Sequence, residues 1–290
     1  MSTTLTPIPG PTPIPGPSPT STPGSERTSP PARRVTFARV VASERLKFTS
    51  VRSNLLTLAG AAAALIGLAA LFTAFADTGG PGAGDARQAA DSLAASFGSL
   101  TLTQLVVGVL GALFVANEYA NGLIRSMFAA VPRREAVVAA KSVVIGTGTW
   151  AVMTAASFVT FFVGQALYTG DLATYHLFDD GVLRVVLGSG LYAAGIAVIG
   201  VALGFILRST AMAISTLVGL LMIAPGLIGL LPGAVSDPVT RILPGQAGSS
   251  FRELQVAADA LSPLAGLVVF LAWVGGLVAV AAWTVRRRDA

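Results

Sequence analysis

The chain has 290 residues, of which 53% are hydrophobic and 11% charged, with a formal net charge of +5. That charged share is far below the roughly 25% of ordinary globular domains, and several uncharged runs exceed the ~18 residues a bilayer-spanning helix needs. An ordinary soluble domain is excluded, and the absence of cysteine excludes disulfides, thiolate metal sites and cysteine nucleophiles.

Residues 1–34 are rich in proline and carry Thr-Pro-Ile-Pro-Gly-Pro twice, at 6–11 and 12–17. Proline this dense cannot sustain helix or sheet hydrogen bonding, so a disordered cytoplasmic tail is expected. Residues 35–54 then read as an amphipathic helix lying in the membrane interface. Phe37, Val40, Val41, Phe48 and Val51 share one side of a helical wheel, and Arg39, Arg45, Lys47 and Arg52 fall mostly away from it. Glu44 falls inside the apolar sector, where a bare carboxylate is costly. It is expected to pair with a base or to cap a backbone group, unless the helix breaks near Ser43.

Six spans follow, near 55–76, 93–116, 137–167, 182–207, 211–231 and 264–285, which gives an all-α membrane protein with a six-span domain over 55–290. The first apolar run lies behind a long polar segment, so no cleaved signal peptide is expected. Pro225 and Gly226 should bend the fifth span, because proline removes a helical hydrogen bond. Gly200 and Gly204 in the fourth form a small-x-x-x-small pair suited to close helix packing. The stretch between spans five and six, 232–263, is expected as an outer loop with a short helix around 251–260.

With six spans both termini share one side, which holds 15 of the 19 Lys and Arg but 5 of the 14 acids. The positive-inside rule makes that side cytoplasmic, so a plasma-membrane protein with both termini in the cytoplasm is expected. The basic residues flank spans instead of covering a soluble domain, which argues against nucleic acid as a partner.

Between the second and third spans lies a polar stretch, 118–141, whose Ile124, Met127, Phe128 and Val131 recur at helical spacing. A short helix with an apolar face and a charged rim of Arg125, Arg133, Arg134 and Glu135 suits docking into a groove on a soluble partner. No G-x-x-x-x-G-K-[ST] loop is present to cradle a nucleotide, and no G-x-S-x-G elbow. The spans carry almost no ionisable residues near their centres, which argues against ion coupling. His176, Asp179 and Asp180 make only a sparse metal-type cluster. An enzyme with its own active site is not expected, nor a cofactor bound by this chain. Gln104, Thr154 and Ser157 are the polar span residues assigned to a substrate path, against the plainer reading that such groups hydrogen-bond within and between helices.

Glu118, Gly122, Pro132, Arg134 and Lys141, within EYANGLIRSMFAAVPRREAVVAAK, resemble the first cytoplasmic loop of ABC-2 type transporter permeases of bacteria. Ser43 to Phe48 and Ser50 to Ser53 are similar to the segment preceding the first span in that family, although Arg45 stands where an aromatic is usual. The resemblance implies a permease that pairs with a second permease copy, identical or not, and with a separate ATP-binding subunit carrying ATP and Mg. In that reading a coupling helix at about 118–135 meets the ATPase and the direction is export, while the apolar, uncharged interior favours a hydrophobic or amphipathic cargo. Ile124, Met127 and Phe128 would supply buried docking area, and Arg125, Arg133 and Arg134 would choose partner and register. Glu118 and Gly122 would mark the bend where span two ends, with Gly122 in a left-handed cap. Two other readings stay open: an ATPase-independent carrier, and a non-transporting membrane subunit or immunity-type protein.

Overall fold

A computed structural model describes residues 36–76, 93–94, 96–131, 133–167, 175–254 and 260–287; the proline-rich tail and Pro132 lie outside them. The described residues are helical, with no strand among them. Their order is α1 (Phe37–Ser50), α2 (Arg52–Ala76), α3 (Leu100–Ala120), α4 (Leu123–Ala130), α5 (Arg134–Leu167), α6 (Val182–Leu207) and α7 (Thr210–Val218). A π turn (Gly219–Ile223), α8 (Ala224–Ile228), α9 (Gly233–Ile242), α10 (Pro244–Arg252) and α11 (Pro263–Arg287) complete it. Six stretches are long and apolar enough to cross a membrane, α7 to α8 counting as one. The chain is a multi-pass membrane protein. Six crossings put α1, α4 and the C-terminal end of α11 on one side of the apolar layer, here the near side, and α9 and α10 on the far side.

α6 is the central post. Of its most apolar window 78% is buried inside the protein, against 17% for α11. Lipid offers no hydrophobic drive to bring helices together, so packing depends on how closely backbones approach. The expected pair at Gly200 and Gly204 does this work. A Cβ at Gly200 would collide with the carbonyl of Gly108 on α3, and one at Gly111 with the carbonyl of Ala197 on α6. The outer faces of α2 and α11 present Leu56, Leu71, Leu264 and Val268 away from the protein, as lipid-facing helices do.

One sequence boundary changes. The interfacial helix ends at Ser50: Val51 is extended (φ −86°, ψ 102°), and residues 52–54 belong to the first span. In the fifth span the turn before Pro225 widens to π geometry, with Ala224 N–H bonding back to Gly219. A wider turn accommodates a proline that lacks the N–H and crowds the preceding carbonyl.

The outer loop is also corrected. The expected short helix around 251–260 is replaced by two helices, α9 and α10, and Phe251 lies at the end of the second instead of the start of a third; residues 255–259 lie outside those described. Trp273 Nε1 donates to the carbonyl of Ile242 at the tip of this hairpin (2.7 Å), and a Cβ at Gly248 would enter the ring of Tyr192. Tyr192 and Trp273 each lie ten residues into their helices, ~15 Å at 1.5 Å per residue. The hairpin therefore folds back beside α6 and α11, within that distance of their far-side ends.

Candidate functional site

The near side holds a cluster of four charged side chains drawn from three helices. On α1, Val40, Glu44 and Phe48 recur every four residues and form the buried face, so the carboxylate of Glu44 is carried inward by the same periodicity that buries its apolar neighbours. The helix runs unbroken through Ser43. Lys47 follows at i+3 and its ammonium meets Glu44 Oε1 at 2.9 Å. Glu118 arrives from the last turn of α3, and Lys141 from the second turn of α5.

Lys141 is the hub. Its Nζ donates to Glu44 Oε2 at 2.7 Å and to Glu118 Oε1 at 2.8 Å, and lies 4.1 Å from the centroid of the Phe114 ring. Lys47 adds contacts to Glu118 Oε1 (3.5 Å) and to Met127 Sδ (2.9 Å) on α4. The set carries two positive and two negative charges, so it is neutral as a unit. Side-chain exposure rises from 0% at Lys141 and 1% at Glu44 to 12% at Glu118 and 41% at Lys47. Burying charges of this kind costs about as much as their attraction returns, so the cluster is weak as a source of stability. Its effect is register: one lysine fixes α1, α3 and α5 relative to each other, and its neighbour adds α4.

Gly122 takes the left-handed conformation expected of it (φ +69°) and turns the chain from α3 into α4. The direction of α4 differs from expectation. Ile124 and Phe128, assigned above to docking area, are 3% and 8% exposed within the protein's own core, and Met127 is half-buried. An apolar stripe on a surface helix is equally satisfied by its own protein, and here the space above α3 and α5 takes it. What α4 leaves open is Leu123, at 56%, with Ser126. The guanidinium of Arg134 lies 5.5 Å from the Phe128 ring centroid, and Arg133 is exposed. Pro132 and the side chain of Arg125 lie outside the described residues. Arg52 sits exposed at the start of α2, outside the cluster.

No protein-family model matches the chain, and no curated protein matches it.

The substrate-path residues are not brought together. Gln104 Oε1 accepts from Tyr192 of α6, and Gln104 Nε2 donates to Thr101. Ser157 donates to its own helix at Met153 (2.8 Å), and of these three residues Thr154 has a hydroxyl buried without a partner, against Gly190. Among the described residues no cluster fit to hold a metal occurs, and Asp179 instead accepts from the backbone N–H of His176 (2.7 Å).

On the far side, a polar cavity of about 420 Å³ lies between the facing sides of α9 and α10, lined in part by Asp237, Arg241, Gln246 and Glu253. Burial raises the Glu253 carboxyl above its usual range, against the opposing pull of Arg252. Lys141 entered the sequence reading only as one residue of a loop motif, and not as the partner of Glu44. Its signal was available: a lone lysine seven residues into an apolar span, matching a lone glutamate on an apolar helix face.

Proposed function

We propose that this chain is the membrane subunit of an ABC transporter, an ABC-2 type permease at the plasma membrane that exports a hydrophobic or amphipathic substrate using ATP hydrolysis by a separate subunit. The observation that carries the reading is the Glu44–Lys47–Glu118–Lys141 cluster, because it joins the two short near-side helices to two membrane spans. A force applied to α1 reaches α3 and α5 through charges that cannot separate without leaving one buried and unpaired, and α4 joins them through the contact of Lys47 with Met127 Sδ. Allosteric drive needs such a two-arrangement element, biased by a partner that contacts its two forms differently. The cargo class is supported by apolar grooves of about 570 and 300 Å³ that share Trp150 and Leu191 between α5, α6 and α11.

The inward turn of Ile124 and Phe128 moves the docking contact to Leu123, Ser126 and Arg133. Co-expression with an ATP-binding subunit encoded beside this chain provides the test. Leu123→Asp with Arg133→Glu is expected to abolish co-purification while the permease stays folded and monodisperse. Ile124→Asp is expected to destabilise the permease itself, since it places a carboxylate in the core. Undiminished co-purification of the Leu123/Arg133 variant overturns the docking assignment, and substrate flux in liposomes without any ATPase overturns the ABC reading.

A further inference from the structure

Beside the charged cluster lies a crevice of about 500 Å³ between α1, the start of α2, α3 and α4. Its apolar wall is Leu113 and Phe114, within the membrane-spanning stretch of α3, and its rim carries Lys47, Asn117 and Asn121. The crevice therefore runs from the polar interface into acyl-chain depth.

Its hydrogen-bonding character is dominated by acceptors. Glu118 Oε1 is taken by Lys141 and Lys47, but Glu118 Oε2 is buried and has no partner. A buried carboxylate oxygen left without a donor is costly and calls for a ligand. Ser50 donates its hydroxyl proton to the carbonyl of Lys47, and Ser126 donates to that of Leu123, so both oxygens offer only lone pairs to the crevice. Asn54 spends an amide proton on the Phe48 carbonyl, which leaves its own oxygen as an acceptor. The donors are the second amide proton of Asn54 and the rim amides of Asn117 and Asn121, and the Lys47 ammonium, already bonded to Glu44 Oε1 and Met127 Sδ, adds its charge.

We propose that this crevice binds an aminophospholipid of the adjoining leaflet, its primary ammonium on Glu118 Oε2 and its phosphate at Lys47 and the rim amides. The pocket needs an N–H-bearing cation at its floor, an anion at its rim and an apolar tail along Leu113, and an ethanolamine phospholipid combines all three. A choline headgroup has no N–H to donate, and a glycerol headgroup has no cation. A basic side chain from a protein partner meets the floor but not the apolar wall. The lipid would lie against Lys47 and Met127 and so bear on the register of α1 and α4. The inference does not depend on the transporter reading.

The test uses the full chain purified in detergent, with lipids of identical acyl chains titrated and bound species resolved by native mass spectrometry. Phosphatidylethanolamine is expected to bind at least about ten-fold more tightly than phosphatidylcholine or phosphatidylglycerol, a difference of ~1.4 kcal/mol. Soluble glycerophosphoethanolamine should fail to compete at equal concentration. Asn121→Lys puts a tethered ammonium three residues from Glu118 and is expected to erase the preference with an unchanged melting temperature. Glu118→Gln should erase it too, at some cost in stability. Equal binding of the ethanolamine and choline lipids, tighter binding of the glycerol lipid, effective competition by the soluble headgroup, or a preference that survives Asn121→Lys each overturns the proposal. Protection of Asn117 and Glu118, inside the crevice, by a protein partner in place of lipid does so as well.

Discussion

The two ends of this molecule join their helices by different physics. On the near side Glu44 and Glu118 converge on Lys141 and are shared with Lys47, and the helices meet where these four charges are satisfied together. On the far side the hairpin is seated by small residues: Gly248 lies against the Tyr192 ring, and Gly266 of α11 lies against the Ala247 carbonyl of α10. In lipid, apolar contact alone says little about which surfaces should pair. Charge supplies the choice of partner at one end, and the missing side chain supplies the distance at the other. The near side should therefore fail when one charged member is removed, and the far side when the first carbon is added.

The largest expected effect is at the hub. Lys141→Met leaves Glu44 buried beside Lys47 alone and is expected to destabilise the protein by about 3–5 kcal/mol, read as lost resistance to thermal or denaturant unfolding in micelles. Adding Glu44→Gln should make the double variant better than additive by roughly 0.5–3 kcal/mol; strict additivity would show that the two side chains do not act as a pair. Next comes the hairpin seat. Gly248→Ala already puts its Cβ into the Tyr192 ring and is expected to cost about 1–3 kcal/mol, with Gly248→Val costing at least as much. An alanine variant as stable as the parent would show that the missing side chain does not set the far-side distance.

Tyr192→Phe comes third, at about 1 kcal/mol, since it removes the hydroxyl that Gln104 accepts while keeping the ring that packs on Phe270 at 5.1 Å. Smallest is Arg286→Ala. Its bridge to Glu135 (3.0 Å) ties α11 to α5 at the near-side surface, with side chains 61% and 33% exposed. An exposed pair of this kind is worth below about 0.5 kcal/mol, and added salt should erase even that. A loss as large as that of Lys141→Met would show that surface charge, and not buried charge, sets the near-side register.

Much of the architecture was legible in the chain itself. The six spans follow from runs of apolar residues long enough to cross a bilayer, and the left-handed turn at Gly122 from the one residue type that adopts it freely. The close approach of α3 and α6 was half legible, in Gly200 and Gly204; the matching Gly108 and Gly111 were identified only once the helices were placed together. The cost of Glu44 on an apolar face announced that it needed a partner, but not which one.

Tertiary structure decided the rest. Lys141 lies 97 residues from Glu44, and no local period links them. The apolar stripe of α4 is a local property, whereas the surface it faces is not: Ile124 and Phe128 were as compatible with a partner's groove as with their own core. The seating of α9 and α10 likewise depends on Tyr192 and Trp273 from other helices. Periodicity and composition fix which face of a helix avoids water, because that depends on neighbours within a few turns. What the face meets is set by backbone approach and charge pairing between distant segments, and those exist only in the folded chain.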